Sequence, residues 1–133
     1  MKNKSYKKWN PSVDFMLDKV YDVDNIYFDD GLIVILIPND IDRSKRSKNN
    51  LKLHWPSFDS FNVNQESHRQ SLWISDKEDP WSFYRTSNSD YIEFIKKDSI
   101  LFSKDGIFHF LILGTNLIID VLSRYEPTIE LVE

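Results

Sequence analysis

Two adjoining apolar runs near the C-terminus constrain the fold more than any other feature. They span Ile107–Leu113 and Leu117–Leu122, and only Gly114, Thr115 and Asn116 separate them. Strands that are almost wholly apolar belong in the middle of a sheet that is covered on both faces. We therefore expect these runs to form two central, paired strands with another layer of structure packed against them.

The composition also favours strands over helices. The chain of 133 residues contains no alanine, whereas Ile, Phe, Tyr and Trp are abundant, and such β-branched and aromatic side chains are typical of sheets. The length suits a single domain, residues 1–133. We expect an α+β fold: a mostly antiparallel β-sheet with hairpins and a C-terminal meander that begins at Ile100–Phe102, covered by an N-terminal helix.

The helix is predicted over Pro11–Tyr21. Asn10 is a favourable N-cap and proline is tolerated at the first helical position. Apolar residues then recur at helical spacing along one face, namely Val13, Met16, Leu17 and Val20.

A hairpin is predicted directly after this helix. Ile26–Phe28 and Leu32–Ile37 flank Asp29-Asp30-Gly31, and Asp-Gly is typical of a tight turn with positive φ. Pro38 should end the second strand, because proline has no amide hydrogen for the ladder. Further strands are predicted at Leu51–Trp55, Ser71–Ser75 and Trp81–Thr86, and loops at Asn39–Asn50 and Asp59–Gln70. Tyr91–Lys97 fits neither the helical nor the strand period well.

His109 and Asp120 are the only polar residues within the two central strands. A type II′ turn centred on Gly114-Thr115 would pair Leu113 with Asn116, and would place His109 directly opposite Asp120. An imidazole oriented by a carboxylate occurs in catalytic sites, and it is also how a buried histidine is ordinarily satisfied. A small hydrolase or nuclease based on these two residues is therefore an alternative to a purely structural pair.

Other motifs that would indicate catalysis or cofactor binding are missing from the sequence. The absence of cysteine excludes a disulfide scaffold, a thiol nucleophile and thiolate-bound zinc. His54 and His68, with Asp59 and Glu66 between them, lack the spacing of known metal motifs. The three glycines lie too far apart to form a phosphate-binding loop. We therefore predict a protein without enzymatic activity, metal or cofactor.

The overall charge argues against nucleic-acid binding. The formal net charge is −4, so the protein as a whole would repel the phosphate backbone of a nucleic acid. Arg43–Lys48 is nevertheless locally basic, and Trp55 lies near it in sequence. The basic N-terminus is not followed by the apolar run of a signal peptide, and the longest apolar stretch, Leu32–Ile37, is too short to span a bilayer. A cytoplasmic protein without membrane contact is the expectation.

Negative charge is concentrated in two segments. Eight aspartates but only one basic residue, Lys19, lie between Asn10 and Asp42. Within the predicted helix, three of these aspartates would form a ridge whose repulsion is unfavourable, which suggests a basic partner. A second acidic segment places a tryptophan beside carboxylates in a predicted loop, where binding residues concentrate. The predicted partner-binding residues are Asp14, Asp18, Asp22, Asp29, Asp30, Asp76, Glu78, Asp79 and Trp81.

The C-terminal segments Gly106–Ser123 and Glu126–Glu130, in a small, acidic α+β chain, resemble the immunity proteins of bacterial toxin systems. Those of contact-dependent growth inhibition and related polymorphic toxins are the most similar. The resemblance implies tight binding to a cognate toxin, often a basic nuclease, whose active site is occluded. A non-enzymatic adaptor of a mobile element is a further alternative, and the toxin and the oligomeric state stay open.

Overall fold

A computed structural model describes residues 6–39, 49–65, 81–99, 101–103 and 105–132. These residues are mostly in β-strands, with one short helix. The elements are β1 (Lys7–Lys8), β2 (Tyr21–Phe28), β3 (Leu32–Pro38), β4 (Asn50–Trp55), β5 (Ser60–Gln65), β6 (Phe83–Thr86), α1 (Asp90–Asp98), β7 (Phe108–Leu113), β8 (Leu117–Ser123) and β9 (Thr128–Val132).

The strands form two antiparallel sheets that share one apolar core. Five strands pair in the order β1-β6-β7-β8-β5, and four pair in the order β2-β3-β4-β9. The interior side chains of β3 and β4 pack in one cluster with those of β7 and β8. The largest of the fully buried residues in this cluster are Trp55, Phe83, Phe110, Leu32, Leu36, Leu51, Leu53 and Ile112. The architecture is therefore a two-sheet sandwich with a short helix on its outside.

The prediction that the two apolar runs form central strands is confirmed. β7 is the middle strand of its sheet and β8 lies beside it. On one face, Phe110 and Val121 pack into the core between the sheets. On the other face, Leu122 packs with Ile92 of α1. The two strands are thus buried on both sides, as their apolar composition requires.

The predicted N-terminal helix is wrong. Residues 11–20 contain bends but no helix, and the short helix of the described chain is α1, far along the sequence. Met16, on the predicted apolar face, is 91% exposed, whereas Trp9 and Tyr21 at the two ends of the segment are buried in the core. Burial of these two aromatic side chains anchors the segment at both ends, and tertiary packing of this kind overrides local helical spacing.

Helix α1 begins and ends at residues with clear local causes. The Ser89 hydroxyl accepts a hydrogen bond from the Ile92 amide at 3.2 Å, which caps the N-terminus. Acidic residues occupy the first turn of α1, and Lys96 and Lys97 occupy its last turn. The helix dipole favours this arrangement of charges. The ambiguous segment Tyr91–Lys97 therefore lies in a helix.

Three other predictions need correction. Ser60–Gln65 is not a loop but forms β5, whose polar side chains are tolerated because β5 is an edge strand. Leu101 and Phe102 are not in a strand, and Leu101 is 92% exposed. The C-terminal meander is therefore only the β7–β8 hairpin, and β9 joins the other sheet instead. The predicted strand Ser71–Ser75 and most of the loop Asn39–Asn50 lie outside the described residues.

The predicted hairpin is confirmed as β2–β3, and β3 ends at Pro38. Asp30 and Gly31 at its tip both have positive φ, 54° and 114°. The Gly31 backbone also passes so close to β4 that a Cβ atom there would lie 2.2 Å from the Trp55 carbonyl oxygen. Glycine is therefore needed at this position both for its conformation and for its small size.

Replacing Gly31 tests this close approach. We expect Gly31→Ala to destabilise the fold by about 3 kcal/mol or more, because strain and a backbone clash add together. Gly106→Ala is the matched control, since Gly106 also has positive φ, 73°, but open space around it; there we expect a loss of about 1 kcal/mol. Urea denaturation measures both. Equal losses would show that the approach of Gly31 to β4 is not tight.

Candidate functional site

A buried polar cluster joins β7, β8 and the start of α1. His109 Nε2 lies 2.6 Å from Asp120 Oδ1, and His109 Nδ1 lies 2.8 Å from Ser89 Oγ. Because a carboxylate can only accept, Nε2 carries a proton and donates it to Asp120. In the neutral ring, Nδ1 then accepts from the Ser89 hydroxyl, whose oxygen still accepts the Ile92 amide.

The contact between His109 and Asp120 was predicted, but the strand register was not. Leu122 lies opposite His109, and Leu111 lies opposite Asp120. The Gly114 amide donates to the Leu117 carbonyl at 2.9 Å, so the turn is centred on Thr115-Asn116, one residue later than predicted. Moving the turn by one residue shifts the pairing by two, and a shift of two keeps both side chains on the same face.

Gly114 contacts both its own hairpin and the other sheet. It forms an isolated parallel bridge with Tyr21 of the other sheet, and a Cβ atom at Gly114 would lie 2.7 Å from the Leu117 carbonyl oxygen and 3.0 Å from Val23 Cγ2. The glycine therefore permits a close approach within the hairpin and between the sheets. It does not have the positive φ that a type II′ turn requires at its first central position.

Tyrosines surround the cluster. The ring centroids of Tyr6 and Tyr91 lie 5.3 and 5.4 Å from that of His109, both edge-on. The Tyr91 hydroxyl is hydrogen-bonded to Ser60 Oγ of β5. Burial raises the pKa of Tyr91, the Ser60 hydrogen bond opposes this, and the Asp120 carboxylate raises it further. The Tyr91 phenol beside the cluster therefore keeps its proton at neutral pH.

Ser89, His109 and Asp120 are hydrogen-bonded in the same order as the residues of a nucleophilic triad, but all three side chains are buried like core residues. His109 is 0% exposed, Asp120 1% and Ser89 8%. The Ser89 oxygen also caps α1, which fixes its position. These features indicate that the cluster attaches α1 to the sheet by hydrogen bonds between fully satisfied buried groups.

A pair of histidine variants tests this role. We expect His109→Ala to destabilise the protein by about 3–5 kcal/mol, because it leaves the buried Asp120 carboxylate without the imidazole that lies 2.6 Å from it. His54→Ala is the control; His54 is partly exposed and makes one hydrogen bond, to the Asp30 carbonyl oxygen at 2.7 Å, so we expect a loss of about 1 kcal/mol. Thermal and urea denaturation give the two values. A His109→Ala protein as stable as His54→Ala would contradict the structural role.

The remaining histidines do not form a site in the described chain. Nε2 of His54 donates to the hairpin tip, and His68 and Glu66 lie outside the described residues. Among the residues that are described, no group of three His, Asp or Glu side chains is placed to hold a metal ion.

The predicted partner-binding aspartates are brought together differently from the prediction. Asp14, Asp18 and Asp22 do not form a helical ridge, because their segment is not helical. Asp18 and Asp22 are half-buried, and the Asp22 carboxylate accepts from Asn39 Nδ2 at 2.9 Å. Asp29 and Asp30 are exposed at the hairpin tip.

The second predicted binding segment is only partly described. Asp76, Glu78 and Asp79 lie outside the described residues. Trp81 is half-buried, packs against the core and donates from Nε1 to the Trp9 carbonyl oxygen at 3.0 Å. This tryptophan therefore stabilises the fold through a defined hydrogen bond.

An exposed aromatic group adjoins the hairpin tip. Phe28 is 60% exposed and stacks on Phe58 with a centroid distance of 6.1 Å. Phe61 of β5 contacts the same ring edge-on at 5.5 Å. Exposed aromatic side chains held rigidly by neighbours are typical anchors of protein interfaces. The sequence prediction did not include these three residues, because their proximity depends on how the two sheets pack.

Tyr21 connects the acidic segment to the core. Its hydroxyl accepts a hydrogen bond from the Asp18 amide at 2.9 Å, and its amide donates to Ser82 Oγ at 3.1 Å. Burial raises the pKa of Tyr21 from 10.0 to about 12, while the Asp18 backbone hydrogen bond lowers it and the Asp18 charge raises it. The folded protein therefore holds this proton at pH values at which an unfolded chain releases it.

This shift predicts alkaline destabilisation. The contribution of the protonated phenol is fully present below about pH 10 and is lost as the pH rises toward about 12. We expect the unfolding free energy of Tyr21→Phe to fall less steeply with pH over this range. At neutral pH, the variant should be less stable by about 1 kcal/mol, because the hydrogen bond to the phenol is lost. Urea denaturation across this pH range measures both effects. Tyr125→Phe, at an exposed tyrosine, should leave the slope unchanged; identical slopes in both variants would contradict the assignment.

No protein-family model matches this chain, and no curated protein or solved structure matches it either. Within the described part of the chain, no helix is long and apolar enough to cross a membrane.

Proposed function

We propose that this protein is a cytoplasmic, non-enzymatic immunity protein that binds a cognate basic toxin and occludes its active site. The observation that carries the proposal is the acidic β2 segment, which we define as Asp14, Asp22, Asp24, Asp29 and Asp30. Among the described residues, no lysine or arginine forms a salt bridge with these carboxylates. Their uncompensated charge favours a positively charged partner.

Local contacts that hold the acidic β2 segment in place also support the proposal. Asp24 is the extra residue of a β-bulge between Val23 and Asn25 and is exposed. The hairpin tip is held by the hydrogen bond from His54 to the Asp30 carbonyl. A rigid surface loses little entropy on binding. Phe28 next to the tip supplies an aromatic anchor, and the carboxylates around it supply steering charge.

The first test is co-expression with the product of the neighbouring gene. We expect a stoichiometric complex with a basic protein whose toxicity or nuclease activity disappears in the complex. Recovery of the protein alone at low salt would contradict the proposal. A complex in which the partner keeps its activity would also contradict it, and would favour an adaptor instead.

Charge variants then test whether the acidic β2 segment is the interface. We expect Asp24→Asn/Asp29→Asn to slow association with the toxin about tenfold at low salt, because electrostatic steering is lost, and the difference should shrink at high salt. Asp98→Asn/Asp105→Asn removes the same charge from exposed positions elsewhere and should leave the rate near that of the wild type. Stopped-flow association rates measure this.

A change at the aromatic anchor separates steering from contact. Phe28→Ala should mainly raise the dissociation rate, since buried aromatic anchors contribute to the lifetime of a complex. If both double charge variants slow association equally, the effect is one of net charge, and the acidic β2 segment is not the interface.

A small hydrolase is the second candidate, and the hydrogen bonds that His109 makes to Ser89 and to Asp120 favour it. Catalysis there would need a substrate to reach a serine that is 8% exposed and already caps α1. A panel of ester substrates with the His109→Ala variant decides between the candidates. Turnover that is lost in a stably folded variant would establish the hydrolase, and loss of stability without any wild-type turnover would exclude it.

A further inference from the structure

A pocket lined by basic residues, opposite in charge to the acidic β2 segment, lies at the sheet edge where β1 pairs with β6. It encloses about 300 Å³, and its lining residues are Lys7, Lys8, Arg85, Thr86, Ser87 and Phe108. Because Lys7 is paired with Arg85, these two cationic side chains lie on the same face of the strand pair at this concavity, in a protein whose net charge is −4. No motif in the sequence predicted this, because residues 7 and 85 come together only through strand pairing.

The strand register makes this concentration of charge unfavourable in isolation. Lys7 lies directly opposite Arg85 in the β1–β6 pair, and like charges that face each other across a strand pair destabilise a sheet. β1 consists only of Lys7 and Lys8, and the buried Trp9 that follows it holds the strand in place despite the repulsion. An anion bound between the two cations would remove this cost.

Arg85 is held in a fixed position. Its guanidinium carbon lies 4.8 Å from the centroid of the Phe108 ring and 6.0 Å from that of Trp9. Glu126 Oε2 lies 3.7 Å from Arg85 Nη1, at the far limit of an ion pair. A guanidinium fixed by aromatic rings is already oriented to bind an oxyanion through two parallel hydrogen bonds.

The neutral groups in the pocket add one available donor. The Thr86 hydroxyl donates to the Asn88 carbonyl oxygen and accepts from the Asn88 amide, both at 3.0 Å, so it is committed to the local turn. Ser87 is exposed, and its hydroxyl is the neutral donor that can turn toward a ligand. Lysine, arginine and hydroxyl donors around one space are typical of sites for phosphoryl groups.

We propose that this pocket binds a phosphorylated small molecule, with the phosphoryl group between Lys7 and Arg85. A dianion neutralises both cross-strand cations, which a monocarboxylate would not do. The volume is at the lower end of that of small-molecule sites, and suits one metabolite. The negative net charge argues against a nucleic acid as the ligand. The many phosphates of a nucleic acid would also extend beyond the pocket.

Calorimetric titration of the purified protein with inorganic phosphate, ADP and glucose 6-phosphate tests the proposal, with adenosine and glucose as uncharged controls. We expect the phosphorylated compounds to bind and the uncharged ones not to. The tighter of ADP and glucose 6-phosphate then indicates whether the ligand is a nucleotide or a sugar phosphate. Absence of binding by all three phosphorylated compounds at millimolar concentration, or equal binding of adenosine and ADP, would overturn the proposal.

Two variants with opposite expected effects on the phosphate affinity locate the site. Lys7→Gln should weaken phosphate binding about tenfold, whereas Lys19→Gln, which removes an exposed lysine elsewhere, should not. Glu126→Gln should strengthen binding, because it removes the competing carboxylate while its amide oxygen can still accept the hydrogen bond from Trp9 Nε1. A loss of affinity in Glu126→Gln, or the same affinity in Lys7→Gln and Lys19→Gln, would place the anion elsewhere.

Discussion

The antiparallel pairing of β7 with β8 is the interaction on which the rest of the structure depends. Both strands are buried on both faces, so any polar group on them must find its partner inside the protein. His109 and Asp120 bind each other at 2.6 Å, which leaves one ring nitrogen to be satisfied. Ser89 meets that requirement while it caps α1. The position of the helix is therefore a consequence of burying a histidine in the central strand.

The same strand pair also determines how the second sheet is attached. The Asn116 side chain, in the β7–β8 turn, accepts from the Val23 amide and donates to the Val23 carbonyl, both at 2.9 Å. This closes the beginning of edge strand β2 with hydrogen bonds that a neighbouring strand would otherwise supply. The bulge at Asp24 follows immediately, so the part of β2 that carries the exposed acidic and aromatic residues is the part that Asn116 does not cover.

The features that depend on local pattern could be predicted from the sequence, and those that depend on packing could not. The β2–β3 hairpin and the two central strands follow from turn chemistry and apolar runs. The contact of His109 with Asp120 was predicted despite a wrong register, because a shift of two residues preserves the face. Ser89 was missed, since it reaches His109 only through the placement of α1. The helix over Pro11–Tyr21 was wrong because the spacing of apolar residues contains no information on the burial of Trp9 and Tyr21.

The charges on the edge strands of the two sheets bear on two possible roles: preventing strand pairing between molecules, and binding a ligand. Edge strands carry charge to prevent pairing between molecules, and either sign serves that purpose. Alternating signs would protect the edges without repulsion. Here β2 carries Asp22 and Asp24 and leads into Asp29 and Asp30. By contrast, β1 places Lys7 opposite Arg85, a pairing whose electrostatic cost protection does not require. A ligand of opposite sign would remove the repulsion between Lys7 and Arg85. The two ligands that we propose, a basic protein at β2 and a phosphoryl group beside β1, would each meet an edge of opposite charge.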